Sequence, residues 1–241
     1  MGVGMQGQSA INAAPTAKGL DLLGVVEGLR IHRDLPALPS DPFQLVLWDN
    51  IGALIPDERR AALFAEFGHK VGYEPGAILA ADPALLLSIA ERGGMRPLVR
   101  VERWQESAAI VLERGGDLAA TLRALPVAKA RALLKRFPVI GDPGADKILL
   151  FAGIDARPSL DPNGLRSLVR LGFFPQQASY AASYKAGVTL LSTAGKPDRE
   201  WLMAAYLRLR AHGKTLCRRG TPLCHACPFD PVCAHAHADQ F

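Results

Sequence analysis

The chain has 241 residues, of which 49% are hydrophobic and 7% aromatic, and it carries a formal net charge of +5. It is long enough to bury a real core, as one large domain or two small ones, and no apolar run is long enough to span a membrane. The richness in Ala, Leu and Arg favours helices over sheets. The basic balance is compatible with a polyanionic partner but does not establish one.

The N-terminal residues 1–18 are small and polar and follow no period, which predicts a disordered tail. They lack the charged start and apolar centre of a secretory signal, so nothing indicates an oxidising compartment. We therefore expect a cytoplasmic protein.

From residue 20 onward, apolar residues recur at helical spacing, and no stretch shows the sustained alternation of a strand. A Pro-punctuated linker ends at a helix cap at Asp41, and Asp82-Pro83 caps a later helix. The predicted helices include Leu20–Ile31, Phe43–Trp48, Leu118–Leu125 and Ala128–Phe137. The sequence predicts an all-α protein of roughly ten short helices.

A helical hairpin is predicted at 128–152, AKARALLKRFPVIGDPGADKILLFA. A tight loop from Pro138 to Gly144 separates its two helices, and the second helix starts at about Ala145. The unpaired amides at the start of that helix can bind an anion, and Gly141 lets a phosphate approach closely. Taken alone, the hairpin is more often a packing connection.

A further helix starts at Asp161, in PSLDPNGLRSLVRLG. Asp followed by Pro162 is a strong start signal, with Asp as the cap and Pro in the first turn. The dipole of the helix stabilises the negative charge of this carboxylate, which suits a group that must stabilise positive charge nearby. The alternative is that Asp161 only caps the helix.

All four cysteines lie in one short stretch, CRRGTPLCHACPFDPVC, with the spacing C-x6-C-x2-C-x5-C. Such crowding predicts an iron–sulfur cluster or a tetrahedral zinc ion, and the spacing separates the two only weakly. Zinc sites usually contain two short C-x2-C pairs, whereas this loop contains only one. Two disulfides are the less favoured alternative. The predicted ligands are Cys217, Cys224, Cys227 and Cys233.

A basic strip lies beside this loop, because no Asp or Glu occurs between Trp201 and Phe229. Its cations are Arg208, Arg210, Lys214, Arg218 and Arg219. A phosphate backbone would be attracted to such a strip. A solvated basic face is an equally good interpretation of the charges alone.

These segments come in an order that resembles the endonuclease III-like branch of the helix-hairpin-helix DNA glycosylases, over residues 20 to 237. The most specific element is the four-cysteine loop, HGKTLCRRGTPLCHACPFDPVC. The stretch FPVIGDPGADKILLFAGIDARPSLD is similar to the family's hairpin-to-aspartate segment without a gap. PFQLVLWDNIGALIPDERR is similar to the early helix and loop that insert a polar side chain into DNA.

The resemblance implies a six-helix barrel at 41–154 that carries the hairpin, beside an iron–sulfur domain built from 19–40 and 155–241. It implies a [4Fe–4S] cluster, with zinc less expected, and double-stranded DNA as the partner of a nucleoid-associated monomer. Asp161 falls on the catalytic aspartate, and Asn50 on the inserted side chain. The expected phosphate contacts are Gly141, Gly144, Arg208, Arg210 and Lys214.

Two positions depart from the family pattern. Where strand-cleaving members carry a lysine after the second hairpin glycine, this chain has Pro143, and the first glycine is replaced by Val139. Lys147 lies one helical turn beyond Pro143. A surface lysine or a salt-bridge partner is a better interpretation of Lys147 than a Schiff-base nucleophile. We therefore expect a glycosylase without lyase activity. The alternatives are a lyase that uses Lys147 and a non-catalytic, metal-stapled DNA-binding module.

The lesion is not predictable from these residues. Several aromatic side chains could supply a wall on which a flipped base stacks, although each is more often core. They are Trp48, Trp104, Phe174, Tyr180 and Tyr184.

Overall fold

The structure, a computed structural model, describes residues 20–29, 37–194 and 197–237. These residues form α-helices and two short 3₁₀ turns, with no strand among them. In chain order, the helices are α1 (Leu22–Gly28), α2 (Pro42–Asn50), α3 (Asp57–Lys70), α4 (Pro75–Ala80), α5 (Pro83–Glu91), α6 (Pro97–Leu112), α7 (Leu118–Ala124), α8 (Val127–Leu134), α9 (Asp142–Phe151), α10 (Pro162–Leu171), α11 (Tyr180–Ser192) and α12 (Arg199–Thr215). The predicted all-α class is confirmed.

Aspartate caps followed by proline start three of these helices. Asp41, Asp82 and Asp161 each accept a hydrogen bond from a first-turn amide, and a proline occupies the first helical position after each. Proline is favoured there because its fixed φ suits a helix and its missing N–H has no partner in the first turn anyway. These local rules make the helix starts readable from the sequence.

The described residues hold 12 α-helices rather than roughly ten. The helix α4 is one that the sequence did not reveal, because a Pro-Gly pair at its start is typical of a turn. The second hairpin helix starts at Asp142, before the expected Ala145, because Pro143 is tolerated in its first turn. The predicted 1–18 tail and the Ile31 end of the first helix lie outside the described residues.

The buried side chains form two clusters. The first is built by residues of α2 to α9, from Phe43 to Ala152, and by Leu202 and Tyr206. The second joins α1, α10 and α11 to the neighbouring residues Ala205 and Leu209 of α12 and to Cys233. Because α12 contributes to both clusters, it fixes them against each other. The domain boundaries themselves, 41–154 against 19–40 with 155–241, stay a prediction.

The hairpin consists of α8, the loop 135–141 and α9. Val139 at its tip has φ 60° and is 57% exposed, in a left-handed conformation that strains a β-branched residue. In the described part of the chain, no helix combines the length and apolar character needed to cross a membrane.

Candidate active site and cysteine loop

A cleft of about 210 Å³ lies where α2, α3 and α9 face α10 and α12. It is lined by Leu38, Trp48, Asp49, Asp57, Arg60, Lys147, Asp161, Tyr206, Leu207 and Arg210. Three carboxylates and three cations therefore face one cavity, beside two aromatic rings. Of the site residues expected from the sequence, Asp161, Lys147 and Arg210 meet here.

Asp161 is held rigidly at the N-terminus of α10. Its Oδ1 accepts a hydrogen bond from the Gly164 amide at 2.7 Å, and its Oδ2 accepts one from Asn163 Nδ2 at 2.7 Å. The Nε of Arg210 lies 3.7 Å from Oδ2, and the Asp161 side chain is 14% exposed. Amides at a helix start stabilise negative charge. Asp161 thus caps α10 and also presents a fixed, partly exposed carboxylate to the cleft.

A relay of side chains connects Asp161 to the cysteine loop. Asn163, bonded to Asp161, accepts a hydrogen bond at Oδ1 from Arg166 Nη2 at 3.0 Å. Arg166 also donates to the carbonyls of Gly213 at 2.7 Å and Cys217 at 3.0 Å. A side chain on Gly213 would collide with the Asn163 backbone, so α10 and α12 approach closely only because of glycine. No pattern in the sequence indicated this relay.

Asp57, from the start of α3, bridges across the cleft to α12. It accepts two hydrogen bonds from Arg210, at 2.7 and 2.8 Å, and Lys214 Nζ lies 2.8 Å from Oδ2. Burial alone would raise the pKa of Asp57, but the hydrogen bonds from Arg210 and Lys214 outweigh it and lower that pKa to about 2.

The predicted phosphate contacts of the basic strip are therefore engaged within the protein. Arg210 and Lys214 are paired with Asp57. Arg208 donates to the Val26 carbonyl at 3.1 Å, near the end of α1. The charges of Arg210 and Lys214 are thus balanced by Asp57, whereas the half-buried Arg208 contacts a neutral carbonyl.

Lys147 lines the cleft, but its ammonium group is not a free amine. The side chain is 5% exposed and forms an ion pair with the carboxylate of Asp49. The partner lies at the end of α2, 98 residues away in sequence. Lys147 is therefore a buried, paired cation rather than a surface lysine.

Asn50 is buried, and it links α2 to the hairpin. It is 5% exposed, and its Nδ2 donates to the carbonyls of Val46 at 3.1 Å and Pro138 at 3.2 Å. A side chain that enters DNA has to be exposed, and the structure does not present Asn50 in this way. Leu54, four residues further, is 90% exposed with φ 58°. Leu54 therefore combines an exposed side chain with a left-handed backbone conformation, three residues before Asp57 of the cleft. This combination was not expected from the sequence.

The two hairpin glycines have different surroundings. Gly141 is exposed at the N-cap of α9, and a side chain there would meet only Pro143 within 4 Å. A Cβ on Gly144 would lie 3.3 Å from Ile140 and 3.8 Å from the Asp49 carboxylate. The tight contact is therefore with Ile140 of the hairpin loop, whereas the distance to Asp49 is an ordinary van der Waals contact. Phosphate binding by either amide stays a prediction.

The four cysteines are free thiols, and all of them line one small cavity. Arg170 holds the loop by donating to the carbonyls of Arg218 at 2.6 Å and Arg219 at 3.2 Å. Among the described residues, no three His, Cys, Asp or Glu side chains are arranged around a single metal ion. Four thiols around a common cavity are the donor set of an iron–sulfur cluster or of a tetrahedral zinc ion.

The aromatic side chains considered as a stacking wall for a flipped base lie in different parts of the fold. Trp48 lines the cleft, whereas Trp104 and Tyr184 are buried in the two clusters. Tyr206, which the sequence did not single out, lines the cleft against Phe151, with ring centroids 5.5 Å apart. Phe174 packs against the second cluster, and Tyr180 stacks on Tyr184.

Solved structures of DNA glycosylases share this fold over nearly the whole chain. Endonuclease III, trapped as a covalent intermediate with DNA, superposes with a TM-score of 0.70 at 19% identity, over 91% of this chain and 95% of that one. A thermostable thymine-DNA glycosylase gives 0.69 at 17% identity, over 90% and 95%. The H. pylori 3-methyladenine DNA glycosylase bound to 1,N6-ethenoadenine gives 0.60 at 16% identity, over 81% and 98%.

The fold is therefore that of the helix-hairpin-helix DNA glycosylases. Among these three structures, endonuclease III has the highest TM-score. The resemblance drawn from the sequence is confirmed at the level of the fold. No protein-family model matches the sequence, and no curated protein is significantly similar to it.

Proposed function

We propose that this protein is a DNA glycosylase that hydrolyses the N-glycosidic bond of a damaged or mispaired base in duplex DNA. The observation that carries the proposal is the position of Asp161, a fixed carboxylate facing a nucleobase-sized cleft in a glycosylase fold. Because the glycosidic bond is hidden inside the duplex, the nucleotide is flipped into the cleft, at a cost of a few kcal/mol.

Asp161 stabilises the positive charge that develops on the sugar as the base leaves, and it orients or deprotonates the attacking water. The amide of Gly164 and the side chain of Asn163 fix its two oxygens in advance. Arg210 is the nearest cation at 3.7 Å, but Asp57 balances its charge. The negative field of Asp161 therefore remains available to the sugar.

Leu54 supports base flipping in this proposal, in the place expected for Asn50. An apolar side chain inserted between base pairs takes the space of the extruded base and keeps it from returning. Leu54 is 90% exposed on the loop between α2 and α3, whereas Asn50 is committed to the hairpin. The amides of Gly141 and Gly144 are proposed to contact phosphate.

The proposed reaction ends at base release, without strand cleavage. Pro143 has no amine, and the amine of Lys147 is buried in its pair with Asp49. A Schiff-base nucleophile must be an unprotonated, accessible amine.

The proposed [4Fe–4S] cluster is held by Cys217, Cys224, Cys227 and Cys233. These thiols are free and line one cavity, so they fit the group. When bound, the cluster supplies a structural staple that shapes the Arg218–Arg219 segment. A brown protein with a broad absorption band near about 400 nm, and four irons per chain, would support it.

The function is tested with duplex oligonucleotides that contain uracil, oxidised pyrimidines, mispaired adenine or alkylated purines. The wild type is expected to release at least one of these bases, with strand breaks only after alkali. Asp161→Asn should lower turnover by about 10² or more. Asp82→Asn is the matched control, because Asp82 also caps a helix before a proline but lies outside the cleft.

Three results would count against the proposal in different ways. Base excision by Asp161→Asn at the wild-type rate would refute the catalytic role assigned to Asp161. Binding of duplex DNA without release of any base would favour the non-catalytic module. Strand cleavage without alkali, with borohydride trapping lost in Lys147→Met, would assign a lyase to Lys147.

A further inference from the structure

The α2 side of the cleft offers a second carboxylate, Asp49, for which base hydrolysis by Asp161 has no use. We propose that Asp49 is a specificity-determining residue that accepts a hydrogen bond from an exocyclic amino group of the flipped base. This inference rests on the proposed function and deepens it. It assigns the substrate to the amino-bearing bases, adenine or cytosine and their damaged derivatives.

The location of Asp49 fits contact with a base rather than with the sugar. Asp161, the proposed sugar-facing carboxylate, belongs to α10, and Asp49 lines the same cavity from α2. Trp48 lies beside it, and the Gly144 backbone comes close enough that a Cβ there would be 3.8 Å from Asp49 Oδ2. A base attached to a sugar at Asp161 would extend towards this wall.

One oxygen of Asp49 is left for a ligand. Oδ1 is paired with Lys147, whereas Oδ2 forms no hydrogen bond to any residue that the structure describes. The Asp49 side chain is 25% exposed, but that of Lys147 is only 5% exposed. A ligand in the cleft therefore meets the carboxylate oxygen, while the ammonium that balances its charge is covered.

The chemistry of this oxygen selects a donor. An ionised carboxylate accepts hydrogen bonds and cannot donate one. An amino group at this position gains a charge-assisted hydrogen bond, whereas a carbonyl there would face the carboxylate oxygen with no proton between them. Arg60 lines the same side of the cleft, where its Nη1 donates to the Trp48 carbonyl at 3.0 Å, and its other N–H groups would be donors for an acceptor atom of the ring. Sites that bind a substrate N–H reject analogues that lack it.

The test uses two pairs of substrates that differ in an amino against a carbonyl group. Adenine is compared with hypoxanthine, and 5-hydroxycytosine with 5-hydroxyuracil, each in the same duplex. The wild type is expected to release the amino member of a pair about 10²-fold faster. Asp49→Asn should reduce this ratio below about 10-fold, because an amide both donates and accepts.

Two variants separate specificity from folding. Asp49→Asn leaves the buried ammonium of Lys147 without its partner and is expected to lower the melting temperature. The double variant Asp49→Asn/Lys147→Met removes that charge, so it should regain thermal stability and still show the reduced ratio. Asp117→Asn, at an exposed helix cap, is the matched control and should keep the wild-type ratio.

The binding of non-hydrolysable 2′-fluoro substrates provides a readout that does not depend on turnover. The wild type should bind the amino member of a pair more tightly, and Asp49→Asn should bind both members about equally. Equal wild-type affinities, or an unchanged ratio in Asp49→Asn, would overturn the role of Asp49 even if excision by Asp161 is established. Conversely, selective binding without any excision would support Asp49 and refute the proposed chemistry.

Discussion

The two walls of the cleft hold their carboxylates in different ways. On the α2 wall, Asp49 forms a direct ion pair with a buried lysine. On the α10 wall, Asp161 accepts hydrogen bonds from a backbone amide and an asparagine, both neutral donors, and its nearest cation, Arg210 at 3.7 Å, is itself paired with Asp57. A neutral hydrogen bond fixes a carboxylate without cancelling its charge, whereas an ion pair cancels most of its field.

This difference matches the two proposed roles. A group that stabilises a cationic sugar has to keep its negative field, so a nearby cation such as Arg210 should have its charge balanced by another carboxylate, as Asp57 does here. A group that accepts one hydrogen bond from a neutral base needs only an open oxygen. Under the two proposed roles, charge stabilisation and base recognition belong to carboxylates with different kinds of partner.

The supports behind the walls differ as well. The α2 wall is linked to the hairpin by the hydrogen bond that Asn50 donates to the Pro138 carbonyl. The α10 wall is fastened to the cysteine loop, through Arg166 and the Cys217 carbonyl. The bridge from Asp57 to Arg210 and Lys214 connects the two sides by charge. Each support predicts a distinct effect when it is removed.

Removal of the bridge is expected to have the largest of these effects. Asp57 has a pKa of about 2 in the folded protein against an ordinary value of 3.8. Because the folded pKa is lowered, this stabilisation is present above about pH 4 and is lost as the pH falls through about 2. Asp57→Asn should lower the free energy of unfolding at pH 7 by about 2 kcal/mol.

Urea unfolding at several pH values measures this contribution. The difference between wild type and Asp57→Asn should shrink as the pH falls from about 4 towards 2, where Asp57 becomes protonated in both states. Asp117→Asn should change stability little, since asparagine caps a helix nearly as well. A difference that is constant over this range would show that the bridge does not act through the charge of Asp57.

Removal of the relay is expected to act on turnover. Arg166→Ala should release Asn163 and lower the rate of base release about 10-fold, by loosening Asp161 rather than by emptying the cysteine site. Arg170→Ala is the matched comparison, because Arg170 holds the same loop through Arg218 but makes no bond to Asn163. Single-turnover rates are normalised to iron content. Equal losses in the two variants would show that the loop, and not the relay, matters.

The sequence predicted what local rules decide. Helix starts at Asp41, Asp82 and Asp161 follow from caps and prolines within three residues, and the hairpin follows from a glycine loop between two apolar faces. Because Asp161 caps its helix, its location in the chain could be read before its surroundings were known. The crowding of the cysteines was equally visible.

Partners that are distant in the sequence could not be predicted. Arg210 and its partner Asp57 are 153 residues apart, and Lys147 is 98 residues from Asp49. A window without acidic residues therefore looked like a free basic strip, although its acids come from α3. Asn50 and Leu54 likewise differ by one helical turn in sequence, but only packing decides which of them is buried.

Substitutions of Asn50 and Leu54 are expected to have the smallest effects, and they separate support of the α2 wall from insertion into DNA. Asn50→Ala removes two hydrogen bonds behind the α2 wall and should cost about 1 kcal/mol of stability. Leu54→Ala removes an exposed side chain, so stability should change by less than about 0.5 kcal/mol. Its excision rate on duplex DNA should nevertheless fall about 5-fold, because the vacated stack is no longer filled.

Single-stranded substrate decides between these roles. There is no partner stack to fill in a single strand, so Leu54→Ala should act on it at the wild-type rate. If Asn50→Ala instead showed the duplex-specific loss while its melting temperature stayed at the wild-type value, Asn50 would have to leave its bond to Pro138 when DNA binds. The inserted side chain would then be Asn50, and the α2 wall would be a mobile element rather than a fixed one.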